Sequence, residues 1–417
     1  MSRVAVHVAR SFAPRHRAGR RTAILAGFGL TLLFTTASCE VLIGIPDVEK
    51  GDTTTGTTGG SGGSATTSTS GGSGTCPQAP CQGAGCDPLE LTNIESVLGS
   101  SGGAGGAGGS VQDAYTTTLI ARDGTVHWGI DNEAGTIQTL VRSGANGEFQ
   151  TQPVEAVPRR FADDGTNVYW VGVYTPQLFF WPGVGPASTL GAHASTTDDR
   201  SSGVAVDATN VFWIVADLVV ADCDTFPGCC EAGAVDDGGK TSCILGADKS
   251  PGATPKVVVG EFVNIPHMIV SEGTMYFSSW TGEQGGDGKI ERCPAAAQAC
   301  SPEPFFDGPG SQRPDELAAA AGYIYWSNSA GEIRRKKMDD ASGATTSELV
   351  TSGPNVAYMD ADESRLYYTD NAGHVFSIEH TPEATKTFLG GDGAEHIAVD
   401  CTGVYWTEPT RIMRKPK

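Results

Sequence analysis

The stretch HIAVDCTGVYWTEPTRIMRKPK, residues 396–417, contains the unit that decides the fold. It begins with a short apolar strand and a turn at Asp400, continues with a second strand that carries Tyr405 and Trp406, and ends in a third strand. Apolar and polar residues alternate with period two in these segments, which is typical of half-buried strands. The stretch therefore predicts three consecutive antiparallel strands of one small sheet.

The same unit recurs along the chain. Each copy has an aliphatic residue followed by two rings, as in VYW or IYW, and the second ring stands at Trp128, Trp170, Trp213, Phe277, Trp326, Tyr368 and Trp406. The intervals are 42, 43, 64, 49, 42 and 38 residues. A period near 40 residues with several short strands per repeat is typical of propeller blades. We therefore predict an all-β fold over residues 111–417, a β-propeller with antiparallel four-stranded blades, seven in number with six as the alternative.

An acidic residue stands six positions before the second ring in four of the repeats, at Asp164, Asp207, Asp362 and Asp400. An Asp side chain accepts hydrogen bonds from the main-chain N–H groups of its own turn. We predict that these residues cap the turn between the first two strands of their blades, which is a structural role.

The repeats resemble the YWTD repeats of receptor ectodomain propellers and, more loosely, the NHL-type propellers. The resemblance rests on YWTE at 405–408, YYTD at 367–370 and YWSN at 325–328, and it weakens in the earlier repeats. YWTD propellers usually have six blades, whereas this chain has seven repeats. The resemblance therefore implies the architecture of the body and not close membership of that family.

The last repeat has three strands and lacks the fourth, outermost one. A propeller closes its ring by completing one blade with strands from both ends of the chain, because closure removes an exposed sheet edge. We predict that LELTNIESVLG, residues 89–99, supplies the missing strand. A last blade of three strands is the alternative.

The N-terminus predicts export. Residues 1–38 contain a basic segment with six Arg and the apolar stretch TAILAGFGLTLLFTT, which together form a lipoprotein-type signal peptide. TASC, ending at Cys39, resembles the bacterial lipobox, with Thr36 where that motif usually has Leu. The resemblance implies a lipid on Cys39, and ordinary cleavage with a free thiol is the alternative. We predict a chain anchored to a bacterial membrane that faces the periplasm or the cell exterior.

A tether and a cysteine-containing segment follow. Residues 39–75, with the lipidated Cys39, are dominated by Gly, Ser and Thr and predict a flexible, disordered spacer. Residues 76–110 contain a Cys-containing segment and a second Gly-rich spacer.

Eleven cysteines indicate an oxidising compartment. Cys293 and Cys300 flank a short connection and are predicted to form a disulfide. The insertion in the third repeat has a second group, predicted to pair among themselves with zinc as the alternative: Cys223, Cys229, Cys230 and Cys243. A further bridge is predicted from Cys401 to Cys76, Cys81 or Cys86.

The net charge limits the classes of partner. It is −20 for the whole chain and −26 once the six Arg of residues 1–38 are removed. An acidic body repels nucleic acid and anionic lipid headgroups, so both are excluded as main ligands. We predict a monomer that contacts the membrane only through its lipid and has a protein or glycan of the cell envelope as its partner.

The candidate site comes from aligning the repeats on their second ring. Ten positions earlier, near the start of the innermost strand, stand Thr118, Arg160, Gly203, His267, Glu316, Tyr358 and His396. One position before these lie Arg159, Asp315 and Glu395. Since innermost strands line the central channel of a propeller, these polar side chains are predicted to meet at one channel mouth.

Two interpretations of this mouth stay open. In the first, Arg159 and Arg160 bind an anionic group, and His267 and His396 act as acid, base or metal ligands with Glu316 as partner. NHL-like propeller lyases and lactonases place His and acidic residues around a divalent metal at this mouth, which is what the resemblance implies. In the second, the opposite charges neutralise one another.

Motifs for other chemistry are absent from the sequence. No GxSxG, P-loop, HExxH or dinucleotide fingerprint occurs. The sequence therefore favours a membrane-tethered, non-catalytic binding module without a cofactor, although a divalent metal such as calcium fits an acidic exported protein. The alternative is a metal-dependent lyase or lactonase with His267, His396 and Glu316 at its centre.

Overall fold

The computed structural model describes residues 86–100, 114–132, 138–144, 148–156, 158–172, 177–183, 185–191, 200–219, 229, 240–262, 264–280, 288–308, 313–341, 345–353, 355–381 and 384–417. The predicted signal peptide, Cys39 and the spacer up to residue 75 lie outside these ranges, as do Cys76, Cys81, Cys223 and Cys230. Lipidation, the tether and the bridges of those cysteines therefore stay predictions.

The described chain begins with strand β1 (Leu89–Asn93) and helix α1 (Ile94–Ser100), and strands alone follow. Blade 1 is formed by β2 (Ala114–Arg122), β3 (Thr125–Asn132), β4 (Gln138–Ser143) and β5 (Phe149–Pro153). Blade 2 is formed by β6 (Pro158–Asp163), β7 (Val168–Gly172), β8 (Leu178–Trp181) and β9 (Ser188–Gly191). Blade 3 is formed by β10 (Arg200–Val206), β11 (Asn210–Val219), β12 (Lys240–Asp248) and β13 (Lys256–Phe262).

The remaining strands form four more blades. Blade 4 is formed by β14 (Met268–Ser271), β15 (Thr274–Trp280), β16 (Gly288–Pro294) and β17 (Glu303–Asp307). Blade 5 is formed by β18 (Pro314–Ala320), β19 (Tyr323–Asn328), β20 (Glu332–Lys337) and β21 (Glu348–Ser352). Blade 6 is formed by β22 (Val356–Ala361), β23 (Arg365–Asp370), β24 (Val375–Glu379) and β25 (Thr387–Gly390). Blade 7 has β26 (Ile397–Val399), β27 (Gly403–Glu408) and β28 (Arg411–Pro416) from the end of the chain.

Each blade is an antiparallel four-stranded sheet, and the seven sheets confirm the predicted seven-bladed propeller. The strands of blades 1 to 6 pair in chain order, so each blade is a meander. Strands β3, β7, β11, β15, β19, β23 and β27 carry the aromatic pairs that define the repeat. The 64-residue interval in the third repeat reflects an insertion between β11 and β12 and not an additional blade.

The ring closes as predicted, with β1 as the outermost strand of blade 7. Leu89 pairs with Arg414 and Asn93 with Arg411. Residues after Asn93 differ from the prediction, because they form helix α1 and not a continuation of the strand. The side chain of Asn93 accepts the N–H of Ser96 at 2.7 Å, which is an N-cap. Ile94 and Val97 then bury one face of the helix against the core that joins blades 7 and 1.

The two rings of each repeat explain why they recur together. Neighbouring residues of a strand face opposite sides of the sheet, so the rings point towards the two neighbouring blades. Tyr169 of blade 2 shares a buried core with Trp213 of blade 3. Tyr405 of the last blade shares another with Trp128 of the first. Each interface between blades is thus filled by the first ring of one blade and the second ring of the next.

The turn between the first two strands is built in two ways. The four Asp residues predicted to cap it accept main-chain hydrogen bonds from residues two and three positions later: Asp164, Asp207, Asp362 and Asp400. The other three blades use two residues with positive φ, ending in Gly, at Asp123 and Gly124, Glu272 and Gly273, and Ala321 and Gly322. This is the pattern of type I′ turns, in which Gly adopts positive φ without a steric penalty.

Disulfides support the predicted compartment. Cys293 is bonded to Cys300, as predicted, and Cys229 is bonded to Cys243 within the predicted insertion group. Since both sulfurs of the second pair are oxidised, neither is a thiolate ligand for zinc. Cys86 and Cys401 are also disulfide-bonded, and the predicted pairing of Cys401 with the N-terminal cysteines stays a prediction.

Candidate functional site

A repeated irregularity of the innermost strand positions the candidate residues. In every blade the second ring pairs with the residue nine positions earlier, as Trp326 does with Leu317. The regular pairing breaks directly before that residue in blades 1, 3 and 5, and one residue earlier in blades 2 and 6, where Arg160 and Tyr358 still pair with the strand beside them. In blades 4 and 7 the innermost strand begins directly after His267 and His396. The residues ten positions before the second ring therefore stand within a bulge, next to one, or directly before the strand, and bulges redirect side chains.

Arg160 and Glu316 form an ion pair across the channel. Arg160 lies on β6 of blade 2 and Glu316 on β18 of blade 5, and Nη2 of the guanidinium donates to Oε1 of the carboxylate. The two blades are not neighbours in the ring, so the contact spans the central channel. The side chains are 18% and 9% exposed, and the pair is therefore largely removed from solvent.

Tyr358 and His396 extend this pair to blades 6 and 7. The guanidinium carbon of Arg160 lies 5.2 Å from the centroid of the Tyr358 ring, within the range of a cation–π contact. The ring of His396 lies 3.9 Å from that of Tyr358, with 34° between the planes. One connected group is thus formed by Arg160, Glu316, Tyr358 and His396. We call these four residues and His267, described next, the channel network.

His267 joins the channel network from blade 4. Its Nδ1 atom accepts the main-chain N–H of Leu317 at 2.7 Å, so the proton of the neutral ring is on Nε2. Nδ1 also lies 3.9 Å from Oε2 of Glu316, which is too long for a hydrogen bond. Within the described ranges, Nε2 of His267 and Oε2 of Glu316 are buried without a hydrogen-bond partner.

Burial determines the protonation of the network. It lowers the pKa of His396 to about 3, with a further contribution from the charge of Arg160. The same two causes lower the pKa of His267 well below its ordinary value. Both imidazoles are therefore neutral near pH 7 and bind protons weakly. A general acid or base works best with a pKa near the operating pH, so these two rings are poorly suited to that role.

Hydroxyl groups hold the innermost strands in this arrangement. A Ser or Thr follows the second ring in blades 4 to 7. Two of these hydroxyls donate to a main-chain carbonyl of the next blade, Ser278 to Asp315 at 3.1 Å and Thr369 to Glu395 at 2.7 Å. The other two accept a main-chain N–H, Ser327 from Glu316 at 3.2 Å and Thr407 from His396 at 3.0 Å. Sequence reasoning missed these positioning residues, although the hydroxyl directly after the ring pair was the available signal.

The remaining predicted site residues lie at the rim. Arg159, Asp315 and Glu395 have exposed side chains, one position before the inward-facing residues of their strands. Of the eight candidates, five meet in the channel network, and these three border it on the solvent side.

The space left beside the channel network is small. A cavity of about 30 Å³ is lined by Thr118, Arg160, Tyr358, Asp360 and His396, among others. This volume suits ordered water and not an organic substrate. Asp360 is itself engaged, because its Oδ2 atom accepts the N–H of Val399 at 2.7 Å.

The donor set does not fit a divalent metal. Among the described residues, no three His, Cys, Asp or Glu side chains gather in an arrangement that could hold an ion. The first oxygen of Glu316 is occupied by Arg160, whose positive charge lies where a cation would bind. His267 uses its Nδ1 atom for a main-chain hydrogen bond. The carboxylate and the two imidazoles thus serve the ion pair and the packing of the blades.

Comparison with known proteins supports the fold and nothing finer. No family profile and no curated protein matches the chain. Among solved structures, a streptogramin B lyase is 10% identical, over 72% of this chain and 92% of that chain, with a TM-score of 0.52. The acylaminoacyl peptidase of Pyrococcus horikoshii is 11% identical over 72% and 51%, with a TM-score of 0.52. YCF48 from Cyanidioschyzon merolae is 9% identical over 73% and 96%, with a TM-score of 0.50.

One observation concerns membrane-spanning helices. In the part of the chain that the structure describes, no helix has the length and apolar character needed to cross a bilayer.

Proposed function

We propose that this chain is a non-catalytic binding module of the cell envelope, exported and tethered to a bacterial membrane through a lipid on Cys39. The support for export is the basic and apolar N-terminus together with the disulfides of the body. A spacer of Gly, Ser and Thr would let the propeller reorient above the membrane. The partner is a protein or glycan of the envelope.

The observation that carries the non-catalytic part is the ion pair between Arg160 and Glu316. It crosses the channel at the place where propeller enzymes could open a substrate site, and the adjoining cavity is about 30 Å³. Ligands would then bind to the rim and the exposed outer surfaces of the blades. Arg159, Asp315 and Glu395 are the rim residues that such a partner would meet.

The alternative is a metal-dependent lyase or lactonase acting at the same mouth. It would need His267, His396 and Glu316 to release their present contacts and converge on one ion, with Arg160 displaced. The likeness to a streptogramin B lyase does not favour this alternative, because at 10% identity it reflects the fold alone.

Two measurements on the whole chain test the proposal. For the tether, mass spectrometry of the mature protein should find a diacylglycerol on Cys39, and a Cys39→Ser variant should move from the membrane fraction to the soluble fraction. Equal fractionation of both forms would overturn the tether.

For the non-catalytic role, purified chain should capture an envelope protein or glycan, and the His267→Ala/His396→Ala variant should capture it equally. Elemental analysis should find no stoichiometric divalent metal. Turnover of a lactone or an elimination substrate with Mg²⁺, abolished in the same double variant, would establish the enzyme instead.

A further inference from the structure

A second cavity, distinct from the mouth, lies between blades 4 and 5. Its volume is about 380 Å³, within the range of about 300–1,000 Å³ typical of small-molecule sites. It is bordered by Glu272, in the turn between β14 and β15, and by Met338 and Asp339, which follow β20. The channel network lies at the opposite end of the innermost strands, and none of its residues lines this cavity, which we call the interblade cleft.

The floor of the interblade cleft is preformed. Tyr276 and Cys293 line it and are each 3% exposed. Tyr276 lies on β15, and Cys293 lies on β16, where a disulfide ties it to Cys300. A cleft on paired strands with a covalent staple needs little ordering when a ligand binds, and binding then costs less conformational entropy.

Arg292 places a fixed positive charge in the cleft. Nη1 donates to the carbonyl of Met338 on blade 5 at 3.2 Å, and the hydroxyl of Tyr276 hydrogen-bonds the same guanidinium. Its Nη2 atom is 4.0 Å from the largely exposed carboxylate of Glu303, and the Arg292 side chain is 34% exposed. A guanidinium has five N–H donors, so these contacts orient it and leave donors for a ligand. A planar guanidinium held in this way suits a carboxylate.

Carboxylates stand at the edge of the same cleft. Glu272 borders it from blade 4 and Asp339 from blade 5, and both are exposed. Glu303 adds a third carboxylate, so a ligand with only a negative charge would be repelled, and a ligand with only a positive charge would leave N–H donors of Arg292 without an acceptor. A molecule that carries both charges can satisfy the two sets of groups together.

We propose that the interblade cleft binds a small zwitterion of the α-amino acid type, up to the size of a dipeptide. The ligand carboxylate contacts Arg292 and the Tyr276 hydroxyl. The ligand ammonium contacts Glu272 and Asp339, and the side chain packs against Met338 and the disulfide. This inference is independent of the proposed envelope partner, because it concerns a different surface and a different class of ligand.

The test uses alanyl-leucine as the probe with the whole chain, measured by isothermal titration calorimetry. N-acetyl-alanyl-leucine and alanyl-leucine amide each lack one of the two charges. We expect the free dipeptide to bind and each blocked form to bind at least about tenfold more weakly, because one charged group of the cleft loses its partner. Equal binding of the three compounds, or no heat with the free dipeptide at millimolar concentration, would overturn the proposal.

Variants locate the binding. Ser301→Trp should fill the cleft and abolish dipeptide binding, whereas Thr385→Trp, an exposed residue of blade 6, should not change it. Arg292→Gln should weaken binding of the free dipeptide at least about tenfold and remove the preference over the amide form. If Ser301→Trp binds the dipeptide like the parent protein while keeping its melting temperature, the site is elsewhere and the proposal is wrong.

Discussion

The guanidinium of Arg160 on the second blade is bonded to the carboxylate of Glu316 on the fifth blade, across the axis of the ring. The two residues belong to the set that the sequence suggested as a possible catalytic site, and in the structure they form a structural ion pair between blades. Glu316 raises the pKa of Arg160 despite the opposing effect of burial, so the guanidinium stays positive. Breaking one half of a buried pair leaves the other charge without compensation, which costs about 3–5 kcal/mol of folding free energy in comparable cases.

Ring closure through β1 predicts that the short helix after it contributes to global stability. Ile94 is 1% exposed in the core between blades 7 and 1, and its N–H donates to the carbonyl of Thr410 at 2.9 Å. Ile94→Ala should lower the free energy of unfolding by about 2–5 kcal/mol, because it leaves a cavity in that core. Urea denaturation measures this. The neighbouring exposed residue offers the control, since Glu95→Ala should change stability by less than about 0.5 kcal/mol. Equal effects of the two substitutions would show that the segment does not close the ring.

The capping Asp residues differ in whether they also contact a neighbouring blade, and the loss of stability on replacing them should differ accordingly. Among the described residues, Asp207 bonds only within its own turn, to Thr209 and Asn210. Asp400 caps its turn and also accepts the N–H of Gly124 on blade 1 at 2.6 Å. Asp207→Ala should cost about 1 kcal/mol, the usual value of a lost cap. Asp400→Ala should cost about 1–3 kcal/mol more, because a buried N–H of the neighbouring blade is left unpaired.

Urea denaturation of the two variants gives the comparison directly. Asp400→Asn is the matched control, because its single amide oxygen can still accept the N–H groups of the turn but cannot also accept the N–H of Gly124; it should recover the cap and keep the loss between blades. Identical losses in Asp207→Ala and Asp400→Ala would contradict a role for Asp400 between blades.

The ring architecture was predictable because its cause is local and repeats. Each blade supplies one ring to each of its two interfaces from adjacent residues, so VYW-like triplets recur at each blade and their spacing reports the blade length. The capping of four turns was predictable for the same reason, since the Asp and the N–H groups that it accepts lie within three residues. The turns at Gly124, Gly273 and Gly322 were overlooked, although Gly after a short strand is their usual signature.

The chemistry of the mouth was only partly predictable. Alignment on the rings identified Arg160, His267, Glu316, Tyr358 and His396 as residues at equivalent positions, and the structure brings these five together. Their pairing depends on which blades face each other across the channel and on the bulges of the innermost strands. Neither feature can be deduced from the local sequence, and so a metal site and mutual neutralisation of the charges both stayed open as interpretations of the same residues.

Acid should destabilise the propeller through His127. This ring is 6% exposed, packs edge-on against Trp181 of blade 2, and has no hydrogen-bond partner at either nitrogen among the described residues. Burial, and then the charge of Arg142, lower its pKa from 6.5 to about 3. Because the folded pKa lies below the unfolded one, this contribution to stability is complete above pH 6.5 and is lost as the pH falls towards 3. The loss is about 1.4 kcal/mol per pH unit.

A His127→Phe variant isolates that contribution, because the other titrating groups are common to both proteins. Urea denaturation at pH 7.5, 5.5 and 4.5 should show that the parent loses more stability than the variant, by about 1.4 kcal/mol at pH 5.5 and about 2.7 kcal/mol at pH 4.5. Parallel pH profiles would mean that His127 is not buried in its neutral form.

The most direct test of the account is a double-mutant cycle on Arg160 and Glu316, measured by urea denaturation at pH 7.5. Arg160→Met and Glu316→Gln should each lower the free energy of unfolding by about 3–5 kcal/mol, because each leaves one buried charge unpaired. The double variant should be at least as stable as either single one, with a coupling energy of about 2 kcal/mol or more. Additive losses, with a coupling energy near zero, would contradict an ion pair across the channel and would reopen the mouth as a catalytic site.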